Sequence, residues 1–473
     1  MVRVMTDTSK ADTSKIEILK RELSESCWTQ DTDIIAPHLT EWRDKYFGNT
    51  PLMLTPRSTQ DVSDAVKLCA RHKIAIMPQG GNTGLVGGNT PMGEVLITLK
   101  HMTTIREINP TANNMIVEAG AVLQNVLDAA DAANRKFPMT LSSQGSCTVG
   151  GVLSTNAGGN HVLKYGTTKE LVFGVEAVLP NGEIFNGLTN LRKDNTGYDL
   201  NRLFLGAEGT LGIITAASLK LFPKPNYVQR ALIGLESVEA AVSLLEEFRA
   251  GGRLAMFEVM PSIGYRAVVD NFDAIRDPFE GRHAWYLLCD WEVESEDSGM
   301  ALAEDLLGKA FESEAIQDAV IAQNETQAND ILSIREHMSA GQKFLGGSVK
   351  HDITVPIDKI PEFFKLADAK MQDIVPHCRP VGFGHFGDGN IHYNIAQPEG
   401  ADKETFLKNW DALSQPIFDI CDALGGSISA EHGIGTMKRE DLSERADPTK
   451  MMLLRAIKDA IDPDRIMNPR VMV

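Results

Sequence analysis

An α+β chain of two or three domains is what the sequence predicts, and three observations predict it. With 473 residues, 43% of them apolar, the chain exceeds what one hydrophobic core supports. From Pro51 onward, short apolar runs of strand character alternate with stretches of helical periodicity. At Leu221-Phe222-Pro223-Lys224-Pro225-Asn226, two prolines in three residues interrupt the alternation and mark a linker.

Taken in order, residues 1–45 read as an N-terminal helical lead with a helix around Ser14–Ser24. Pro51–Leu54 is extended, Ser58 is placed to cap a helix through His72, and Lys73–Met77 is a β run. Val95–Leu99 is a further strand. Beyond the linker, strands at Tyr227–Gly234, Phe257–Met260 and Ala284–Asp290 alternate with helices at Ser237–Arg249, Ser262–Asn271 and Gly299–Glu312. Short connections between them imply a sheet covered on one face. The tail from Pro448 returns to helix and closes on Ile466-Met467-Asn468-Pro469-Arg470.

The net charge of −18 argues against nucleic acid as a partner, because affinity there depends on Lys and Arg displacing counterions. Six cysteines are scattered without a Cys-x-x-Cys pair, which suits a reducing, cytoplasmic compartment. The first 25 residues lack an apolar signal core, and no run reaches the ~18 apolar residues of a spanning helix, so a soluble protein is expected.

Three segments are built of small residues. Gln79–Asn89 holds five glycines in eleven residues, a backbone free to wrap an anion with its own N–H groups. A dinucleotide fingerprint would open a helix at that loop, whereas a strand at Val95–Leu99 follows, so a Rossmann fold is excluded. The second segment is Leu141–Gly159 and the third is Leu205–Thr215. A glycine costs roughly 0.5–1 kcal/mol relative to Ala in a regular element, so three such segments suggest one large cofactor rather than turns alone.

Val381–Asn394 reads as a β-hairpin turning at Gly387-Asp388-Gly389-Asn390. Such a hairpin brings His385 and His392 within reach of one ion, and Glu431, in Ala430-Glu431-His432-Gly433, is the candidate third ligand. Two histidines and a carboxylate are the set of a catalytic zinc, and equally suit manganese, iron or cobalt. The alternative is that both histidines bond to backbone and Glu431 is a surface carboxylate.

Together with Arg192-Lys193-Asp194-Asn195-Thr196-Gly197-Tyr198-Asp199-Leu200, these motifs make the chain, from about residue 45 to its end, similar to the flavoprotein D-2-hydroxyacid dehydrogenases of the vanillyl-alcohol-oxidase-like superfamily. The resemblance implies a two-lobed, PCMH-type FAD-binding domain over residues 46–224. It also implies an α+β substrate or cap domain with an antiparallel sheet over 225–425, and a C-terminal helical segment, 426–473, returning to the FAD domain. Pro78, Gly80, Gly81, Asn82, Thr83, Gly84 and Gly88 would cradle the FAD pyrophosphate. Gly145, Thr148, Gly151, Ala157, Gly158, Glu208, Ile213 and Ile214 would line the rest, with Asn468 approaching from the tail. Asn82 stands where some superfamily members attach FAD covalently, so the flavin is expected to be noncovalent.

The same resemblance implies that His385, His392 and Glu431 hold the metal, which chelates the substrate, and that His432 is the general base. The rival role for His432 is to orient Glu431. It further places Arg335, Ser339, Lys350 and Asn394 at the substrate. A monocarboxylate already held by a metal needs little further positive charge, whereas two cations suit a second carboxylate. The expected substrate is therefore a D-2-hydroxy dicarboxylic acid such as D-2-hydroxyglutarate or D-malate, with D-lactate or glycolate the alternative. Ser339 departs from the Thr common in relatives. Electrons would pass to an electron-transfer flavoprotein or a quinone-linked acceptor, and a homodimer is compatible with the family. A flavin-binding or metal-sensing module without turnover is the reading from another class.

Overall fold

The computed structural model describes residues 13–473, which fall into two compact units. One comprises Pro225–Ala430 together with the short stretch Asn160–Tyr165. The other runs to Gly159 and adds Gly166–Lys224 and Glu431–Val473. Of the N-terminal helical lead, residues 1–12 lie outside the described residues.

The second of these units opens with the helix Thr13–Glu22. Ser58 caps the helix Thr59–His72 by accepting the Asp61 N–H at 3.1 Å, which satisfies one of the donors a helix start leaves orphaned. That helix ends on Lys73, whose φ of 51° is left-handed, so the β run expected from Lys73 begins three residues later, at Ile76–Gln79. This strand pairs in parallel with Val95–Thr98, which pairs in parallel with Met53–Leu54, and Trp28–Thr29 closes the far edge antiparallel. A second, five-stranded antiparallel sheet orders Ile105–Asn109, Asn114–Glu118, Ile213–Lys220, Val172–Val178 and Ile184–Asn186. The tail returns to the first sheet: Ile76 N–H donates to Ile466, and Asn468 N–H donates back to Ile76, at 2.7 and 2.8 Å.

The first-named unit is built on one eight-stranded antiparallel sheet. Its order is Asp318–Ile321, Tyr227–Leu235, Trp285–Val293, Leu254–Pro261, Arg379–His385, Asn390–Ala396 and Ser348–Lys350, with Ile353–Thr354 also on Asn390–Ala396. The sequence predicts cover on one face, and the sheet is covered on both. Alternate residues explain why. Ile233, Leu287 and Trp291 enter one core with the helices Val238–Phe248, Glu296–Glu312, Ile360–Ile374 and Trp410–Ala423. Leu232, Tyr286 and Leu288 enter another with Ser262–Val269 and Glu325–Glu336. Strands buried at both parities read as continuous apolar runs, as Ala231-Leu232-Ile233-Gly234-Leu235 does, where a strand covered on one face would alternate, so the second covered face has a signal in the sequence. Among the described residues no helix is long and apolar enough to cross a membrane.

Candidate active site

A cavity of about 590 Å³ lies in the unit that contains the glycine loop. Pro78, Gly80, Gly81, Asn82, Thr83, Gly84 and Gly88 line it from one side, and Thr148, Gly151, Ala157, Gly158, Glu208, Ile213 and Ile214 from the others. Glu431 and His432 also face it. Gly145 and Asn468 do not: Gly145 is exposed, and Asn468 stands behind the wall, donating Nδ2 to the carbonyls of Gly88 and Glu208 at 3.1 and 2.8 Å. Sequence reasoning missed Ala119, Gly120 and Val122, which line the cavity at the end of a five-stranded-sheet strand and carry no motif of their own.

The cradle depends on absent side chains. A Cβ on Gly81 would come 2.0 Å from the Ser146 carbonyl, and one on Gly80 would come 2.6 Å from Thr148 Oγ1. That hydroxyl is buried and has no partner, so it is an orphaned donor at the glycine loop. Asn82 holds the loop's shape at φ 55°: Nδ2 donates to the carbonyls of Pro37 and Thr40, and Oδ1 accepts from Asn89 at 2.7 Å. Backbone amides, an orphaned hydroxyl and an extended, largely apolar cavity fit a flavin dinucleotide. Glu208 carries a buried carboxylate into the wall and accepts from the N–H groups of Ile434 and Gly435 at 2.7 Å each. Burial pushes its carboxyl above the usual range, against the pull of those two donors.

The other unit gathers a second set of residues on one face of its eight-stranded sheet. Directly paired residues of an antiparallel ladder point to the same face. The register pairs Glu258 with His385, Phe383 with His392, Val381 with Asn394, and Asn394 with Lys350. The hairpin turn lies one residue earlier than expected, because Asn390 joins the strand and spends its amide on Asp352 and the Ile353 carbonyl. His385 and His392 face each other with ring centroids 5.5 Å apart, and their ring nitrogens come within 4.8 Å, near enough to share an ion.

Around them lie residues of opposite charge. Asp352, 1% exposed, sits 3.8 Å from His392 Nδ1. Arg335 Nε donates to Glu258 Oε2 at 2.6 Å, with the guanidinium over the Phe383 ring at 5.0 Å. Glu258 also accepts from His385 Nδ1. Burial opposes its charge, yet Arg335 and His385 outweigh it and hold the carboxyl at about 2. Asn394 Nδ2 donates to Gln342 at 2.8 Å. Ser339 lies exposed on the four-residue helix Met338–Gly341, outside this ladder. Glu258 and Asp352 are absent from the sequence-derived site. For Glu258 a signal existed: it is the one charge within Leu254-Ala255-Met256-Phe257-Glu258-Val259-Met260.

Comparison with known proteins agrees with both halves. Residues 50–187 match the FAD binding domain family, and residues 224–472 match the family described as FAD linked oxidases, C-terminal domain. The chain is 34% identical over 98% of its length to the mitochondrial D-2-hydroxyglutarate dehydrogenase of Arabidopsis thaliana, covering 82% of that protein. It is 32% identical to the D-2-hydroxyglutarate dehydrogenase of Stutzerimonas stutzeri, with 97% of this chain and 98% of the relative covered. Among solved structures, p-cresol methylhydroxylase with substrate bound superposes with a TM-score of 0.76 at 18% identity, covering 97% of this chain and 96% of that one, and so attests the fold. Motifs, cavity and relatives converge, and the chain belongs to the FAD-linked D-2-hydroxyacid dehydrogenases.

Proposed function

We propose that the protein oxidises a D-2-hydroxy dicarboxylic acid, D-2-hydroxyglutarate or D-malate, to the 2-oxo acid, with a divalent metal held by His385, His392 and Glu431. The observation that carries this reading is the single sheet face shared by His385, His392, Asn394 and Lys350, with Arg335 stacked above it. FAD, when bound, supplies the acceptor for the hydride leaving Cα, and a bound metal supplies the Lewis acid that acidifies the substrate hydroxyl.

The rest falls to the chain's own residues. Arg335 engages Glu258 through Nε, so the terminal amino groups of its fork are the part suited to a substrate carboxylate. Lys350 adds a second cation beside Asn394. His432 takes the hydroxyl proton as the hydride departs, a task suited to the imidazole as a residue type, whose unperturbed pKa lies close to neutral pH. The electrons then pass to an electron-transfer flavoprotein or a quinone-linked acceptor.

The names of two relatives support the dicarboxylate: the Arabidopsis and Stutzerimonas proteins are both named for D-2-hydroxyglutarate. Dye reduction by metal-replete protein, compared across D-2-hydroxyglutarate, D-malate and D-lactate, tests the reading. The expected result is a higher kcat/KM for a dicarboxylate, and a clear preference for D-lactate overturns it.

A further inference from the structure

Glu258 is wholly buried in a strand whose neighbours Met256, Phe257, Val259 and Met260 are apolar and at most 2% exposed. An ionised carboxylate there is costly unless each oxygen is paired, and a buried ion pair is often no more stabilising than apolar residues of the same volume. Glu258 is fully paired, but with two partners of different function. Oε1 takes His385 Nδ1, and Oε2 takes Arg335 Nε.

We propose that Glu258 is a positioning residue shared by the metal ligand His385 and the substrate cation Arg335. The inference rests on the metal reading given above. An ionised carboxylate only accepts, so the Nδ1 that faces it must carry hydrogen, and in the neutral imidazole the lone pair then resides on Nε2. Glu258 thereby fixes the tautomer and ring orientation in which His385 ligates through Nε2, and raises its basicity. The same carboxylate anchors the guanidinium by its Nε edge against Phe383, which aims the fork. The paired register of Glu258 and His385 keeps the contact on rigid backbone rather than on a loop.

The test is Zn2+ affinity, measured by competition with a chromophoric chelator on the flavin-loaded protein. Glu258→Gln presents one acceptor and one donor where two acceptors stood, so Zn2+ should bind about 10–100-fold more weakly. Flavin content should be unchanged, since the flavin cavity is lined by the other unit. Arg335→Lys, which leaves the Glu258–His385 bond in place, should keep wild-type Zn2+ affinity. Both variants should lose part of the preference for dicarboxylate over monocarboxylate substrate. If Glu258→Gln does not fold, the double variant Glu258→Leu with Arg335→Met gives the same reading, because it removes the carboxylate from His385 together with its buried counter-ion. A folded variant at Glu258 with wild-type Zn2+ affinity overturns the proposal while leaving the metal site standing. Weak Zn2+ binding by wild type, unchanged in His392→Ala, instead removes the metal reading and this inference with it.

Discussion

Asn468 donates its side-chain amide to the backbone carbonyl of Glu208 at 2.8 Å, joining residues 260 positions apart. Both hold left-handed backbone, with φ of 42° and 51°. The same amide donates to Gly88, so one side chain ties the glycine loop to the third small-residue segment. Asn468→Ala leaves two buried carbonyls unpaired, at about 1–3 kcal/mol each. We expect weaker flavin retention, read as the flavin-to-protein absorbance ratio after gel filtration. An unchanged ratio would show that the tail does not support the cavity.

Glu208 predicts a pH dependence. Burial raises its carboxyl above the ordinary value, so between the unfolded and folded pKa values the folded state binds more protons. Its contribution to stability therefore falls as pH rises through that window, starting from about 4.3. Glu208→Gln should remove this dependence, so the variant gains stability relative to wild type as pH climbs. Chemical denaturation at several pH values measures the difference, and a gap that does not vary with pH contradicts the assignment.

Lys458 is 1% exposed on the C-terminal helix and donates to Asp462 at 2.5 Å and to the carbonyls of Thr210 and Met467 at 2.7 and 2.8 Å. Lys458→Met keeps much of the volume but leaves Asp462 as a buried charge without its counter-ion, held only by the N–H groups of Ile466 and Met467. A loss of about 3–5 kcal/mol is expected. Equilibrium denaturation of flavin-saturated protein would measure it, and a loss below about 1 kcal/mol would mean that water reaches the pair.

Local signals are legible in the sequence, and long-range ones are not. The Ser58 cap, the hairpin around His385 and His392, and the glycine loop all depend on residues a few positions apart, so spacing reveals them. The partnership of Glu258 with His385 spans 127 positions and exists only because two strands distant in sequence pair in register. Asn160–Tyr165 shows the same limit. It follows directly on a flavin-lining segment, yet Lys164 and Tyr165 both donate to Glu292, and the stretch belongs to the sheet unit. A buried lysine such as Lys458 is invisible to composition, because most lysines are solvated.

His432 separates chemistry from binding. If it is the base, His432→Gln keeps flavin and metal while flavin reduction by substrate slows about 10²–10⁴-fold in stopped flow. If it only orients Glu431, the variant loses metal affinity instead and recovers its rate at saturating metal.

Metal removal gives the complementary test. His385 and His392 belong to the sheet unit, and the cavity that fits FAD is lined by residues of the other. A chelator should therefore abolish turnover and leave the flavin absorbance bound to protein, with activity restored by Zn2+, Mn2+ or Co2+ to different extents. His392→Ala should reproduce the chelated state and resist rescue, because it removes one of the two facing imidazoles proposed to hold the ion. Should the chelated enzyme retain full turnover, the imidazoles are hairpin residues only, and His432 must take the proton of a substrate hydroxyl that no Lewis acid has acidified.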